Sequence, residues 1–152
     1  MEFDLELVVA KTRDNPVFYV QYAHARCRSV LRQAAEKFGA GAVAPESLAG
    51  LDLSGLDDEG ELAVVRRLLQ WPRTVEGAAL AREPHRIAFF LYDLAADFHM
   101  LWNRGTGDAT LRFIQESAPQ QTLARLALVA SVACVIRSGL AVLGVQPVEE
   151  LR

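Results

Sequence analysis

The sequence predicts an all-α protein, a bundle of about five main helices, and three observations carry that expectation. Apolar residues recur at spacings of three and four through most of the chain, the period of a helix with one buried face. No segment shows the strict alternation of a half-buried strand. Prolines and glycines fall between the periodic segments and seldom inside them. The chain has 152 residues, a formal net charge of −3 and 51% hydrophobic residues. That is enough apolar material for one packed core and too little charge for a disordered chain.

Taken in order, residues 3–12 (FDLELVVAKT) read as a short helix with Phe3, Leu5, Leu7, Val8 and Val9 as its apolar side. Asp14-Asn15-Pro16 then reads as a helix start, because Asp or Asn can cap and Pro fits the first turn. Residues 16–38 place Val17, Val20, His24, Cys27, Leu31, Ala34 and Phe38 in one row, and Gly39 is the expected stop. Residues 39–60 have no steady period and carry Gly, Ser, Asp and Pro45. They predict an exposed loop with at most a short turn of helix. Residues 61–71 form a helix ended by Pro72, and 73–82 a shorter one. Pro84 opens a long helix that Gly105 is expected to end. A short apolar piece (LRFIQE) follows. Pro119 opens a last helix that is apolar nearly all round and so belongs in the middle of the bundle.

Charge is segregated along the chain. Residues 11–37 hold Lys11, Arg13, Arg26, Arg28, Arg32 and Lys37 against Asp14 and Glu36, whereas residues 46–61 are acidic without a base. A balanced total therefore conceals basic segments able to meet a polyanion. Asp57, Asp58, Glu59 and Glu61 read as a solvated surface or a helix cap. Cys27 and Cys134 make no CxxC pair and read as reduced thiols of a cytoplasmic protein. The acidic start lacks a signal-peptide pattern. Residues 123–143 are apolar, but Arg125 and Arg137 at that depth argue against a membrane span.

Catalytic patterns are missing. There is no HExxH, no Cys/His cluster at metal spacing, no GxSxG and no Walker lysine, since the lysines are Lys11 and Lys37 alone. The residues thus predict no catalytic site and no metal site, and favour a binding protein over an enzyme. Two constellations suit binding. Tyr19, Tyr22 and Arg26 share a helix face roughly opposite the apolar row, a possible base-stacking platform with a cation beside it. Packing against a second helix explains the same spacing. Residues 98–104 bring His99, Trp102, Asn103 and Arg104 to a helix end, where stacking, base-edge bonds or phosphate contacts compete with core packing and helix capping. His24, within the apolar row, reads as a hydrogen-bonded structural histidine.

Residues 14–26 also match a known pattern, D-N-P-x-x-Y-x-x-Y-A-x-x-R. Residues 84–104 carry L-Y-x-L-A-x-x-F-H-x-x-x-N, and residues 122–144 carry R-L-x-L and G-L-x-x-L-G. In this order the motifs resemble the C-terminal anticodon-binding domain, of the DALR type, of class I arginyl-tRNA synthetases. The resemblance covers nearly all of the chain outside about 39–56. It implies that residues 1–152 form a single anticodon-binding domain, separated from its catalytic domain, whose HIGH-type and KMSKS-type signatures do not occur here. The implied partners are the anticodon arm of arginine tRNA and the catalytic domain of the same parent chain, with neither membrane nor DNA. The implied cofactors, ATP with magnesium, belong to that parent enzyme, and this part alone is expected to be inactive. Carried onto matching positions, the resemblance makes Tyr22, Arg26, His99 and Asn103 the tRNA contacts, with Tyr19 as contact or core and Arg104 beside them. Leu151 stands where the family has a terminal methionine. The competing expectations are a free-standing helical adaptor for a protein partner and an independent tRNA-binding protein.

Overall fold

Helix boundaries follow the chain's punctuation. In the computed structural model, which describes residues 15–150, α1 (Pro16–Phe38) begins where the Asn15 side chain accepts from the amides of Val17 and Phe18, with proline in the first turn. It ends at Gly39, whose φ of 87° lies in the left-handed region. The helix expected over 3–12 lies outside the described residues. A 3-10 turn (Ala40–Val43) and the one-turn helix α2 (Pro45–Leu48) follow. The connection over 39–60 is thus not wholly a solvated loop, because Leu48 and Leu56 are buried in the core. Leu48 reaches inward on α2, the short turn of helix the sequence allowed for; its burial is what composition did not show.

The acidic run becomes a helix start. Asp58 caps α3 (Glu59–Leu69) as half of a capping box: its carboxylate takes the Gly60 amide at 2.8 Å, and the Glu61 carboxylate accepts from the Asp58 amide at 3.3 Å. Pro72 lies in the first turn of α4 (Trp71–Ala81), where its missing N–H costs nothing. α5 (His85–Gly107) runs past Gly105 to Gly107, so the expected stop was two residues early. A 3-10 turn (Ala109–Leu111) leads to α6 (Pro119–Val142). No strand occurs among the described residues.

α6 is the central helix. It packs against α1, α3 and α5, and Leu126, Val129, Val132 and Ile136 have no exposed surface. By length and composition it could cross a bilayer, but 56% of its most apolar window is buried inside the protein, as expected of a core helix. α1 and α5 lie on it and on each other, with Ala23, Cys27 and Ala34 giving α1 small side chains at its buried contacts. Val17 leaves the predicted row and is 48% exposed, because it sits in the first turn of α1, before that helix reaches its neighbours. Phe38, at the other end, is exposed for the same reason. Burial pushes the Cys27 thiol well up from its ordinary range, whereas Cys134 is exposed; both are free.

Candidate nucleic-acid interface

The packing of α1 on α5 positions the site. With one face of α1 buried, residues 19, 22 and 26 fall along its α5 side, and residues 96, 99, 100 and 103 answer them from one face of α5. Together Tyr19, Tyr22, Arg26, Ala96, His99, Met100 and Asn103 line a hollow of about 310 Å³. Five of the predicted residues, Tyr19, Tyr22, Arg26, His99 and Asn103, therefore meet in one place.

Arg26 is its organising group. Its guanidinium carbon lies 4.2 Å from the Tyr22 ring centre and 4.6 Å from that of Trp102, between the two aromatic faces. Nη2 donates to the Tyr22 hydroxyl at 2.7 Å, and Nη1 donates to His99 Nδ1 at 2.9 Å. A guanidinium has donors only, so Nδ1 must accept. That assigns the His99 ring proton to Nε2, which faces the Tyr19 carbonyl oxygen at 3.3 Å. His99 is only 6% exposed and is wedged against Tyr19 and Tyr22, with ring centres 4.6 and 5.2 Å away. The arrangement holds a cation and two aromatic faces ready at a partly open groove. His99 is built into the groove's floor, whereas Met100 and Asn103 stand exposed on its rim.

Arg104 and Leu151 are not brought into this hollow. Arg104 turns away to Asp58, with Nη2 at 2.5 Å from the carboxylate, and so joins the end of α5 to the cap of α3. Leu151 lies outside the described residues. The capping role considered for Asn103 does not apply, since α5 continues for another turn. Burial acts to raise the Asp58 pKa, but Arg104 and the amides of Gly60 and Glu61 together hold it below its ordinary value. His24 is the structural histidine its row predicts: 1% exposed, with Nδ1 donating to the Val148 carbonyl at 2.9 Å.

The sequence offered Trp102 for stacking beside His99 but did not place it among the tRNA contacts, although it closes the cation sandwich on Arg26. Nor was Tyr92 expected to pack against Tyr19, with the two rings tilted and their centres 5.2 Å apart. The α5 spacing contained that signal, since 92, 96, 99 and 103 recur at helical intervals. Among the described residues no three His, Cys, Asp or Glu side chains are grouped to hold a metal ion.

Comparison with known proteins agrees with the all-helical fold. The family model described as the DALR anticodon binding domain matches residues 20–151. An arginine–tRNA ligase of Gluconobacter oxydans is 63% identical over 152 residues, which is 100% of this chain and 25% of that protein. The arginine–tRNA ligase of Xanthobacter autotrophicus is 56% identical over the same length, 26% of its own. A crystal structure described as an arginyl t-RNA synthetase from Campylobacter jejuni superposes with a TM-score of 0.75 at 26% identity, covering 99% of this chain and 30% of the other. The chain thus spans about a quarter of the length of the curated relatives it matches. The matched span takes in most of both signature helices and every groove residue but Tyr19, and the chain belongs to the DALR anticodon binding domain family.

Proposed function

We propose that this chain docks the anticodon arm of arginine tRNA on the α1–α5 groove, as part of an arginine–tRNA ligase of the cytoplasm. In this reading residues 1–152 are one anticodon-binding domain. A catalytic domain outside this chain joins arginine to the tRNA, using ATP with magnesium.

The observation that carries the reading is the Arg26 sandwich. A single-stranded loop presents unstacked bases, and each base has a face that an aromatic ring can cover. Tyr22 offers such a face, and Arg26, held between Tyr22 and Trp102, meets either a phosphate or a base edge. Tyr19 borders the same hollow, and Asn103 on its rim supplies an amide that both donates and accepts. Neutral His99 holds Arg26 and does not itself stack. Arg104 and Leu151 remain secondary contacts, Arg104 because its guanidinium is engaged by Asp58.

The test is binding of this chain to arginine tRNA and to a non-cognate tRNA at low and moderate salt. Selective binding that weakens with salt is expected, and Tyr22→Ala should lower affinity about tenfold. Equal binding of the two tRNAs, or a folded Tyr22→Ala protein with unchanged affinity, would contradict the reading. A protein partner recruited through an apolar anchor would then be the better account.

A further inference from the structure

Beside the hollow, α1 carries two more arginines whose partners come from the end of the described chain. After α6 the backbone turns back along α1. Gln21 Nε2 donates to the Gln146 carbonyl at 3.1 Å, and His24 Nδ1 to the Val148 carbonyl at 2.9 Å. The next two residues then lay acidic groups on the arginine row. Arg28 Nε donates to Glu149 Oε2 at 2.6 Å, Arg32 Nη1 donates to the Glu149 carbonyl at 3.2 Å, and Arg32 Nη2 lies 3.7 Å from Glu150 Oε1.

These two attachments differ in kind. Residues 146–148 are tied by neutral hydrogen bonds, one of them to a histidine 1% exposed. Residues 149 and 150 are tied chiefly by charge, through side chains 39% to 58% exposed. Exposed ion pairs contribute little net stability, so their partners exchange readily. The arginine row also adjoins the groove. Tyr22, Arg26, Ser29, Arg32, Trp102 and Glu150 line a hollow of about 420 Å³ that shares Tyr22 and Arg26 with the first. A guanidinium fork accepts phosphate with the geometry it uses for carboxylate.

We propose that Arg28 and Arg32 form a binding site for the phosphate backbone of the RNA, and that Glu149 and Glu150 fill it until RNA displaces them. The proposal rests on the docking function of the adjoining groove. A strand whose bases cover Tyr22 has its backbone beside these arginines, since Tyr22 and Arg32 line the same hollow. The two glutamates make that contact conditional: a polyanion without bases to stack must compete with them unaided.

The experiment measures tRNA binding by this chain for Glu149→Gln/Glu150→Gln against Glu46→Gln/Asp57→Asn, a control that removes the same charge at exposed positions elsewhere. The tail variant should bind roughly fivefold tighter than the control, the scale of two displaced surface pairs. Arg28→Gln/Arg32→Gln should bind more weakly, and the slope of log K against log salt should shrink by about 1.4 for two single-stranded phosphates. A tail variant equal to the control, or an arginine variant with the full slope, overturns the proposal while leaving the groove's function standing. If the unaltered chain binds no tRNA, titration with tripolyphosphate decides. Movement of the Arg28 and Arg32 Nε–H resonances supports the phosphate site, and their constancy overturns it.

Discussion

Arg125 of α6 and Glu61 of α3 meet as a buried ion pair, with Nε 2.5 Å from Oε1 and side chains 4% and 1% exposed. Arg125 Nη1 also donates to the carbonyls of Thr110 and Arg112, at 2.7 and 2.9 Å, so one guanidinium joins the central helix to the start of α3 and to the turn after α5. Removing one partner leaves a charge without compensation in a place that water does not reach. Arg125→Met should therefore cost about 3–5 kcal/mol. Glu61→Met/Arg125→Met should recover part of that loss, because neither charge is then stranded. Urea unfolding with an unchanged m-value measures both, and a single variant within about 1 kcal/mol of the parent would deny the pair its structural role.

Gly105 is required by a close approach and not by the end of a helix. A Cβ there would lie 2.9 Å from the Leu111 carbonyl oxygen, which belongs to backbone and cannot swing aside. Gly→Ala in a helix ordinarily gains about 1 kcal/mol in propensity. The clash should outweigh that gain, so that Gly105→Ala is destabilising by about 1–2 kcal/mol. Gly107 provides the comparison: its Cβ would meet nothing within 4 Å, and Gly107→Ala should be neutral or stabilising. Thermal unfolding of the two variants separates them, and equal behaviour would dismiss the close approach.

What could be read in the chain was what depends on near neighbours. Helices α1, α5 and α6 were legible because apolar period and proline placement act within a few residues. Tyr19, Tyr22 and Arg26 were legible as a face for the same reason. Pairings across the fold were not. Glu61 looked like one more acid in a polar run, because nothing in its surroundings reports a partner 64 residues away. Arg104 had the right charge and helix end for RNA, yet Asp58 across the bundle takes it. Glu149 and Glu150 carry no local sign of a partner, and only the turn after α6 lays them on Arg28 and Arg32.

Asp58 supplies an acid-dependent part of the stability. Its folded pKa is held below the ordinary value of 3.8, although burial alone would raise it, because Arg104 and two amides favour the charged form. A depressed carboxylate stabilises the fold above its unfolded pKa, and the contribution is lost as pH falls through the folded value. Parent and Asp58→Asn should thus differ in stability near pH 6 and converge below about pH 3.8. Urea midpoints across that range show the convergence; a constant gap would mean that the cap geometry matters and the charge does not.

Trp102 should act on RNA binding through Arg26. Its ring covers one face of the guanidinium at 4.6 Å and leans on Phe113, with ring centres 6.0 Å apart. Trp102→Phe keeps an aromatic face over the cation, whereas Trp102→Leu removes it and keeps an apolar side chain. A role confined to packing predicts that both variants lose stability and that the folded fraction of each binds tRNA normally. The sandwich predicts a split: Trp102→Phe stays within about threefold of the parent, and Trp102→Leu falls about tenfold, the scale of one lost stacking face. Combining Trp102→Leu with Arg26→Ala supplies the deciding measurement. If the ring works by holding the guanidinium, the double variant binds no worse than Arg26→Ala alone. If its losses simply add, Trp102 meets the RNA independently of Arg26.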